Sequence, residues 1–393
     1  MRKIHRWRAV AALLVIVSFS AGCRKDLGHS NQLSDYKAQL VDSLTASDIA
    51  SRITHANMFD LLAADAHRTI ESGFTIRDAQ QLPALYVFSY ADTGFIVIAA
   101  DRNMSPVLAF SDDSKLQSHG WSCGMENWMS RMTEAVEIVR KGWYDNSGQA
   151  AAQWAFIDKR LQNKNTGTSG SNLRPPPDEP CSGTRYSERG PLLPVTWGQG
   201  CSYNTFCPPA LTGPCGACPT GCVATAMAQV MAFHQRPTTY NWAVMPAASG
   251  NQDVSQLMLD AGLSVYMQYT PTSSGAYHSD IDDAFKYTFG YTFSNDVSYN
   301  SSQVLGNIQV NHPVILSGFD SNFGGHAWVA DGYRVWTNPC FSTIYLHMNW
   351  GWHEIFGGDD ESGWFLEADW TITMPGGNIN FRTNNRAIVD IIP

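Results

Sequence analysis

Apolar positions fall into three regimes along the chain. Near the start, the apolar run 9–20 follows Arg2, Lys3, Arg6 and Arg8. A basic stretch before a short apolar core is the pattern of a secretory signal, too short to span a membrane as a helix. Over 84–112, ALYVFSYADTGFIVIAADRNMSPVLAFSD breaks into short apolar runs at Asp92-Thr93-Gly94 and Asp101-Arg102-Asn103, which predicts three strands. Over 127–144 the period changes: Trp128, Met132, Ala135, Val136 and Val139 recur at helical spacing. A second helix is predicted over 220–234, where Val223, Ala226, Met227, Val230 and Met231 keep the i, i+3, i+4 rule. Looser helical segments follow at 254–267 and 279–288. Strand-like runs then occupy 313–319, 326–335, 343–351, 363–368 and 386–392. Helices first and antiparallel strands after predict an α+β arrangement with a cleft between the two halves.

Residues 163–180, NKNTGTSGSNLRPPPDEP, interrupt these patterns with a polar, Gly/Ser-rich and then Pro-rich tract that reads as an exposed linker. It predicts an α+β unit through residue 162 and a second unit from residue 190. A chain of 393 residues that is 44% apolar suits two globular domains with two sizeable cores. From residue 190 onward, five Lys and Arg stand against fifteen Asp and Glu, a net of −10. The preceding residues hold the other 21 basic and 20 acidic groups, a net of +1. An acidic second half argues against nucleic acid as a partner, and the halves do not strongly repel each other.

Nine cysteines point to an oxidising compartment. The leader ends in Ser20-Ala21-Gly22-Cys23, similar to a bacterial lipoprotein box in which the cysteine is lipidated and becomes the mature N-terminus. Ordinary cleavage near Ala21-Gly22 is the alternative. The other cysteines are Cys123, Cys181, Cys201, Cys207, Cys215, Cys218, Cys222 and Cys340. A structural zinc site would have to extend Cys215-x-x-Cys218 with a second pair, and Cys201, Cys207 and Cys340 do not supply that spacing. Disulfides fit better, with connectivity open; if Cys222 stays a thiol, an odd number remains. His55, His67 and His119 read as ordinary surface or core histidines.

The stretch GPCGACPTGCVATAMAQ, 213–229, puts three of these cysteines at the mouth of the predicted helix. With Thr220 as N-cap, Cys222 falls in the first turn, where unpaired backbone N–H groups and the helix dipole favour a thiolate. Cys218 is the rival, because Cys215-Gly216-Ala217-Cys218 imitates the papain-type nucleophile signature. Yet Pro219 follows it instead of an aromatic residue. Position 212, where a papain-type enzyme would carry its oxyanion glutamine, is Thr.

Four segments in order, TGCVATAMAQVMAFH (220–234), MLDAGLSVYMQYTPTSSGAY (258–277), NHPVILSGFDSNFGGHAWVADGY (311–333) and HMNWGW (347–352), resemble the streptopain family of papain-like cysteine proteases. These are secreted bacterial zymogens, and the stretch 84–112 is similar to their inhibitory prodomain. The resemblance implies an α+β papain-like catalytic domain, a helical half and an antiparallel sheet half with a cleft between, behind a small α+β prodomain. The implied boundaries are a signal peptide over 1–22, a prodomain over 23–162, a linker with the processing site over 163–189 and the protease domain over 190–393.

Residue by residue, the resemblance implies that Cys222 attacks the peptide carbonyl and that His326 acts as general base and then general acid. Asn349 would orient the imidazole and Trp350 shield that contact from water. Gln199, with the Cys222 backbone N–H, would hold the oxyanion. Ser274, Gly275, Ala276 and Gly325 would form the floor and edge of the substrate pocket. The chain departs from the family at Ser273-Ser274-Gly275-Ala276-Tyr277, in an insertion at 353–356 and in a longer hairpin carrying Cys340. The implied activity is that of an exported, latent cysteine endopeptidase. Its partners are protein or peptide substrates, its own prodomain, and a membrane only through lipidated Cys23. It needs no metal or organic cofactor. It would reside in the cell envelope (outer membrane or surface) as a lipoprotein, or be secreted after processing. A non-catalytic binding lipoprotein and an amidase of cell-wall peptides are the alternatives. The filled catalytic positions oppose the first, and the Asn349-Trp350 element with the prodomain-like N-terminus opposes the second.

Overall fold

The apolar runs of the N-terminal part form an antiparallel meander in the computed structural model. It describes residues 39–54, 58–59, 67–121, 123–142, 147–162, 181, 183–320, 324–352, 361–367, 371–374, 377–380 and 385–393. The leader 1–22, Cys23, the linker tract 163–180 and the insertion 353–356 lie outside the described residues. Helix α1 (Ser43–Arg52) starts at Asp42, whose Oδ1 accepts a 2.8 Å hydrogen bond from the Thr45 N–H and satisfies one of the helix's open donors. Strands β1 (Ile70–Arg77), β2 (Pro83–Tyr90), β3 (Phe95–Ala99) and β4 (Val107–Ser111) follow. Every residue of β3 and β4 is buried. Covered on both faces, these strands read as continuous apolar runs instead of alternating ones. Helix α2 (Cys123–Arg140) stands where a helix was expected over 127–144, and α3 (Ser147–Gln162) completes this part.

After β5 (Arg185–Arg189) come the buried helix α4 (Cys222–His234), α5 (Gln252–Ser264) and the short α6 (Asp280–Asp283), which runs into a π-helical turn at Ala284–Thr288. Strand β6 (Phe293–Ser298) and α7 (Ser301–Gln309) precede β7 (Val314–Asp320), β8 (Gly324–Thr337), β9 (Ser342–Asn349) and β10 (Gly363–Leu366). The hairpin β11 (Thr371–Met374) and β12 (Gly377–Asn380) and the last strand β13 (Arg386–Ile392) close the chain. Helices α5 and α7 are capped by Asn251 and Asn300, whose side-chain oxygens accept from Val254 and Gln303.

One antiparallel sheet runs through both parts in the order β1-β2-β3-β4-β10-β9-β8-β7-β13-β6, with β5 on β8. Its joint is β4 against β10, where Trp364 pairs with Phe110 and Phe365 with Ala109. Two cores exist, as the composition suggested, but they do not divide at the linker. The first combines α1, β2–β4 and α2 with Tyr345, Trp350, Trp364 and Phe365; the second lies between α4, α5 and the other side of the C-terminal sheet. Helix α2 packs on both β2 and β8. Residues Gln39–Pro393 accordingly make one compact unit.

Two disulfides settle part of the cysteine question. Cys201 pairs with Cys215, and Cys181 with Cys340 in the β8–β9 hairpin, while Cys207, Cys218 and Cys222 stay outside any disulfide. Among the described residues no three His, Cys, Asp or Glu side chains gather as a metal ligand set.

Candidate active site

Cys222 is the first residue of α4 and is partly exposed. The expected cap differs. Gly221, not Thr220, is the N-cap, with φ 88° and no side-chain cap bond. The Thr220 hydroxyl instead meets the Thr225 hydroxyl at 2.9 Å, and its N–H donates to Gln199 O. A left-handed turn therefore overrides the usual Ser/Thr cap and sets Cys222 on the helix's first N–H position. Only glycine fits there. A Cβ at 221 would stand 2.7 Å from Met267 Sδ and 2.9 Å from Ser274 O.

His326 lies on β8 opposite Gly318 of β7 and is 4% exposed. Its Nε2 is 3.0 Å from Trp350 O. A carbonyl only accepts, so Nε2 carries a hydrogen in this contact. Burial pulls its pKa down from 6.5 to about 4, against a smaller opposing effect of the Trp350 carbonyl. The ring stacks on Trp328 at 5.9 Å and 14°, and Trp352 meets it edge-on at 5.9 Å. The cover comes from α2: a Cβ at Gly124 would fall 2.6 Å from His326 Cδ2 and 2.5 Å from Trp350 Cε3. The N-terminal part thus lays helix backbone directly on this histidine.

Asn349 ends β9, 3% exposed. Its Nδ2 donates to Val195 O at 3.0 Å, while its Oδ1 accepts from Gly351 N at 3.1 Å and from Gln229 Nε2 at 3.0 Å. The hydrogen bond expected between Asn349 and His326 is thus replaced on the histidine side by Trp350 O. Trp350 is 2% exposed and packs against Trp328 and Phe365 as well as His326. Gln199 is also buried, and its Nε2 donates to Gly351 O at 3.1 Å. Thr225, one turn after Cys222, sits against Gly351, where a Cβ would be 3.0 Å from Thr225 Cγ2. Gln199, Asn349, Trp350 and His326 are in this way gathered around the 349–351 turn, and Thr225 sets against that turn the helix that starts at Cys222.

The loop 274–276 borders the start of α4 through the Ser274 carbonyl beside Gly221. Gly275 exchanges backbone hydrogen bonds with Gln268, and no atom lies within 4 Å of where its Cβ would be. Gly325 faces Phe319 across the β7–β8 pair and is exposed. Ala276 packs at the edge of the second core. The rival cysteines are placed otherwise: Cys215 is in a disulfide, Cys218 is 4% exposed, and burial pushes the neighbouring Cys207 thiol up to about 12. Gln229 is the one site residue that the sequence reading passed over. Its signal was a polar residue, seven positions after Cys222, in an otherwise apolar helix.

Known proteins are similar to this chain in sequence and fold. The Peptidase C10 family matches residues 197–239 and 235–361, and the Spi protease inhibitor matches residues 38–136. Streptopain of Streptococcus pyogenes is 26% identical over 365 residues, which cover 79% of this chain and 81% of that protein. The thiol protease/hemagglutinin PrtT of Porphyromonas gingivalis is 24% identical over 372 residues, 83% of this chain and 39% of that one. Among solved structures, a fragment of Prevotella intermedia prointerpain A superposes with a TM-score of 0.54 at 25% identity, covering 82% of this chain and 99% of the fragment. With the helix-borne thiol, the buried histidine and an inhibitor-like N-terminal part laid over it, the chain belongs to the streptopain family, peptidase C10, and is a cysteine peptidase in latent form.

Proposed function

We propose that the chain is an exported cysteine endopeptidase in which Cys222 is the nucleophile and His326 the general base and acid. The observation that carries this reading is the cluster itself. The thiol-bearing residue that starts α4 lies one turn before Thr225, which packs on Gly351; Gly351 bonds Gln199 and Asn349, and the adjoining Trp350 carbonyl meets a histidine covered by α2. The Cys222 sulfur attacks the scissile carbonyl, and the oxyanion is held by Gln199 Nε2–H and the Cys222 backbone N–H. His326 gives its proton to the leaving amine, then takes one from the water that hydrolyses the thioester. Asn349 orients the ring, Trp350 keeps water from that contact, and Gly275, Ala276 and Gly325 line the substrate. Latency follows from the same geometry. A neutral His326, hydrogen-bonded to Trp350 O beneath α2, has no imidazolium to pair with a thiolate. Residues 23–162 act as the prodomain, 163–189 carry the processing site, and the leader exports the protein, with Cys23 as the lipid anchor.

Internal cleavage of casein by processed protein tests this. Cys222→Ala is expected to abolish it and Cys218→Ala to leave it intact, with iodoacetamide labelling Cys222. Labelling that maps to Cys218 would sink the assignment.

A further inference from the structure

Gln229 is fully buried, and its amide joins the three segments that bring the site together. It stands seven residues after Cys222 on α4, two turns on, so both share one face of the helix. Its Nε2 donates to Trp197 O at 2.8 Å, two residues before Gln199, and to Asn349 Oδ1 at 3.0 Å at the end of β9. Neither amide can be turned over without loss. Trp197 O only accepts, Asn349 Nδ2 already faces Val195 O, and Asn349 Oδ1 already faces Gly351 N. Gln229 Oε1 is buried with no hydrogen-bond partner among the described residues. A Met of similar length would avoid that penalty, so packing alone is a poor account of an amide here.

We infer that Gln229 is a positioning residue for catalysis, tying α4 and the Trp197–Gln199 segment to the Asn349 amide at the end of β9. The inference rests on the roles proposed above for Cys222, His326 and Asn349. Among the partners of Asn349 described here, it is the one side chain; Val195 and Gly351 contribute backbone. Without that tie the amide is held by the Val195 and Gly351 backbone alone and is less firmly placed to support the imidazolium of the active form; His326 would lose its proton at lower pH, and the thiolate–imidazolium pair would go with it. Among the described residues, the groups that face His326 are Trp328, Trp350, Trp352 and the Gly124 backbone, none of them charged. Cys222 is the titratable partner that the mechanism brings to it.

The test compares processed wild type, Gln229→Met and Gln229→Glu, each started from the full chain, with active sites counted by iodoacetamide uptake at Cys222. For Gln229→Met the expected result is a kcat per site lower by about tenfold, the rate equivalent of one lost hydrogen bond. KM should be little changed, and the alkaline limb of kcat/KM should move to lower pH. Gln229→Glu keeps the shape. Its carboxyl donates when protonated and repels the two acceptor oxygens when ionised, so its activity relative to wild type should climb as pH falls. A structural role would lower the thermal midpoint while kcat per site and the pH limbs stay at wild-type values, and that result overturns the inference. If Gln229→Met does not fold, the pH trend of Gln229→Glu decides alone. Wild type that takes up label elsewhere than Cys222 would overturn the underlying assignment instead.

Discussion

At the scale of single residues, the latent site holds its groups in the wrong partnerships for chemistry. Gln199 Nε2 is bonded to Gly351 O, where a substrate oxyanion would have to compete for it. Gln199→Ala is therefore expected to lower kcat of the processed enzyme by about a hundredfold, the loss of one oxyanion donor, with KM nearly unchanged. Steady-state kinetics check this, and a loss carried by KM alone would reduce Gln199 to a substrate contact. His326 makes the second prediction. Its value under α2 is about 4 against an ordinary 6.5, so the unfolded chain binds protons more readily than the folded one in that window. The stability it lends is full above pH 6.5 and is lost progressively as pH falls toward 4. The thermal midpoint of the Cys222→Ala precursor should fall over this range, and less steeply with His326→Gln added. His234 and His278, also lowered to about 4 by burial, contribute with the same sign, so the slope should shrink without vanishing. Cys222, His326 and Asn349, whose roles are proposals, were legible as candidates because each sits in a short linear pattern. Gln229 was not, since its meaning lies in a contact with a residue 120 positions away.

Elements were legible in proportion to how locally their stability is encoded. The runs that became β2, β3, β4, β7, β8, β9, β10 and β13 are dense in apolar residues, and α2 and α4 keep a helical period over several turns. Strands β5 and β6 are polar, with most residues exposed or half-buried, and α7 is nine residues long, so neither type leaves a strong period. The β4–β10 joint pairs positions some 250 residues apart, which no window of sequence reports. Nor does sequence spacing reveal the ionic centre of the N-terminal part. Arg140, at the end of α2, bonds Asp78 at 2.6 Å and Asp101 at 3.1 Å, with all three side chains at most 3% exposed. It also donates to the Pro83 and Ala100 carbonyls, fastening α2 to the edges of the meander. Burial pushes the Asp101 carboxyl up, with Asn103 and Arg140 opposing it. Arg140→Met would strand two acids without their cation and is expected to destabilise the precursor by about 3–5 kcal/mol. Urea unfolding of the Cys222→Ala background measures this, and a change below 1 kcal/mol would mean the charges rearrange at little cost.

For the whole molecule, the decisive fact is that prodomain and peptidase share a sheet and a core. The first core spans both parts, β10 pairs with β4, and Gly124 of α2 rests on His326 and Trp350. Latency is thus built from the interactions that fold the chain, and tethering supplies a high effective concentration that keeps the cover in place. Release needs a cut, and the disulfides restrict where that cut can work. Cys181 is bonded to Cys340 beside β8, and β5 is hydrogen-bonded along β8 from Arg185 to Arg189. The end of the linker therefore belongs physically to the peptidase. A cut between residues 182 and 190 would leave the N-terminal part joined to the enzyme through Cys181, so the cover could lift but not leave. A cut before Cys181 frees it. The expected mature chain consequently starts between Thr166 and Cys181, and not as late as Gly190. Precursor incubated with active enzyme should give two bands that separate on a non-reducing gel, with casein hydrolysis rising in step. Cys181→Ser should tolerate cuts on either side of position 181. Products that stay together until a reductant is added would show that the working cut lies after Cys181. An uncut precursor that hydrolyses casein as fast as the processed protein would show that the shared sheet does not silence the site.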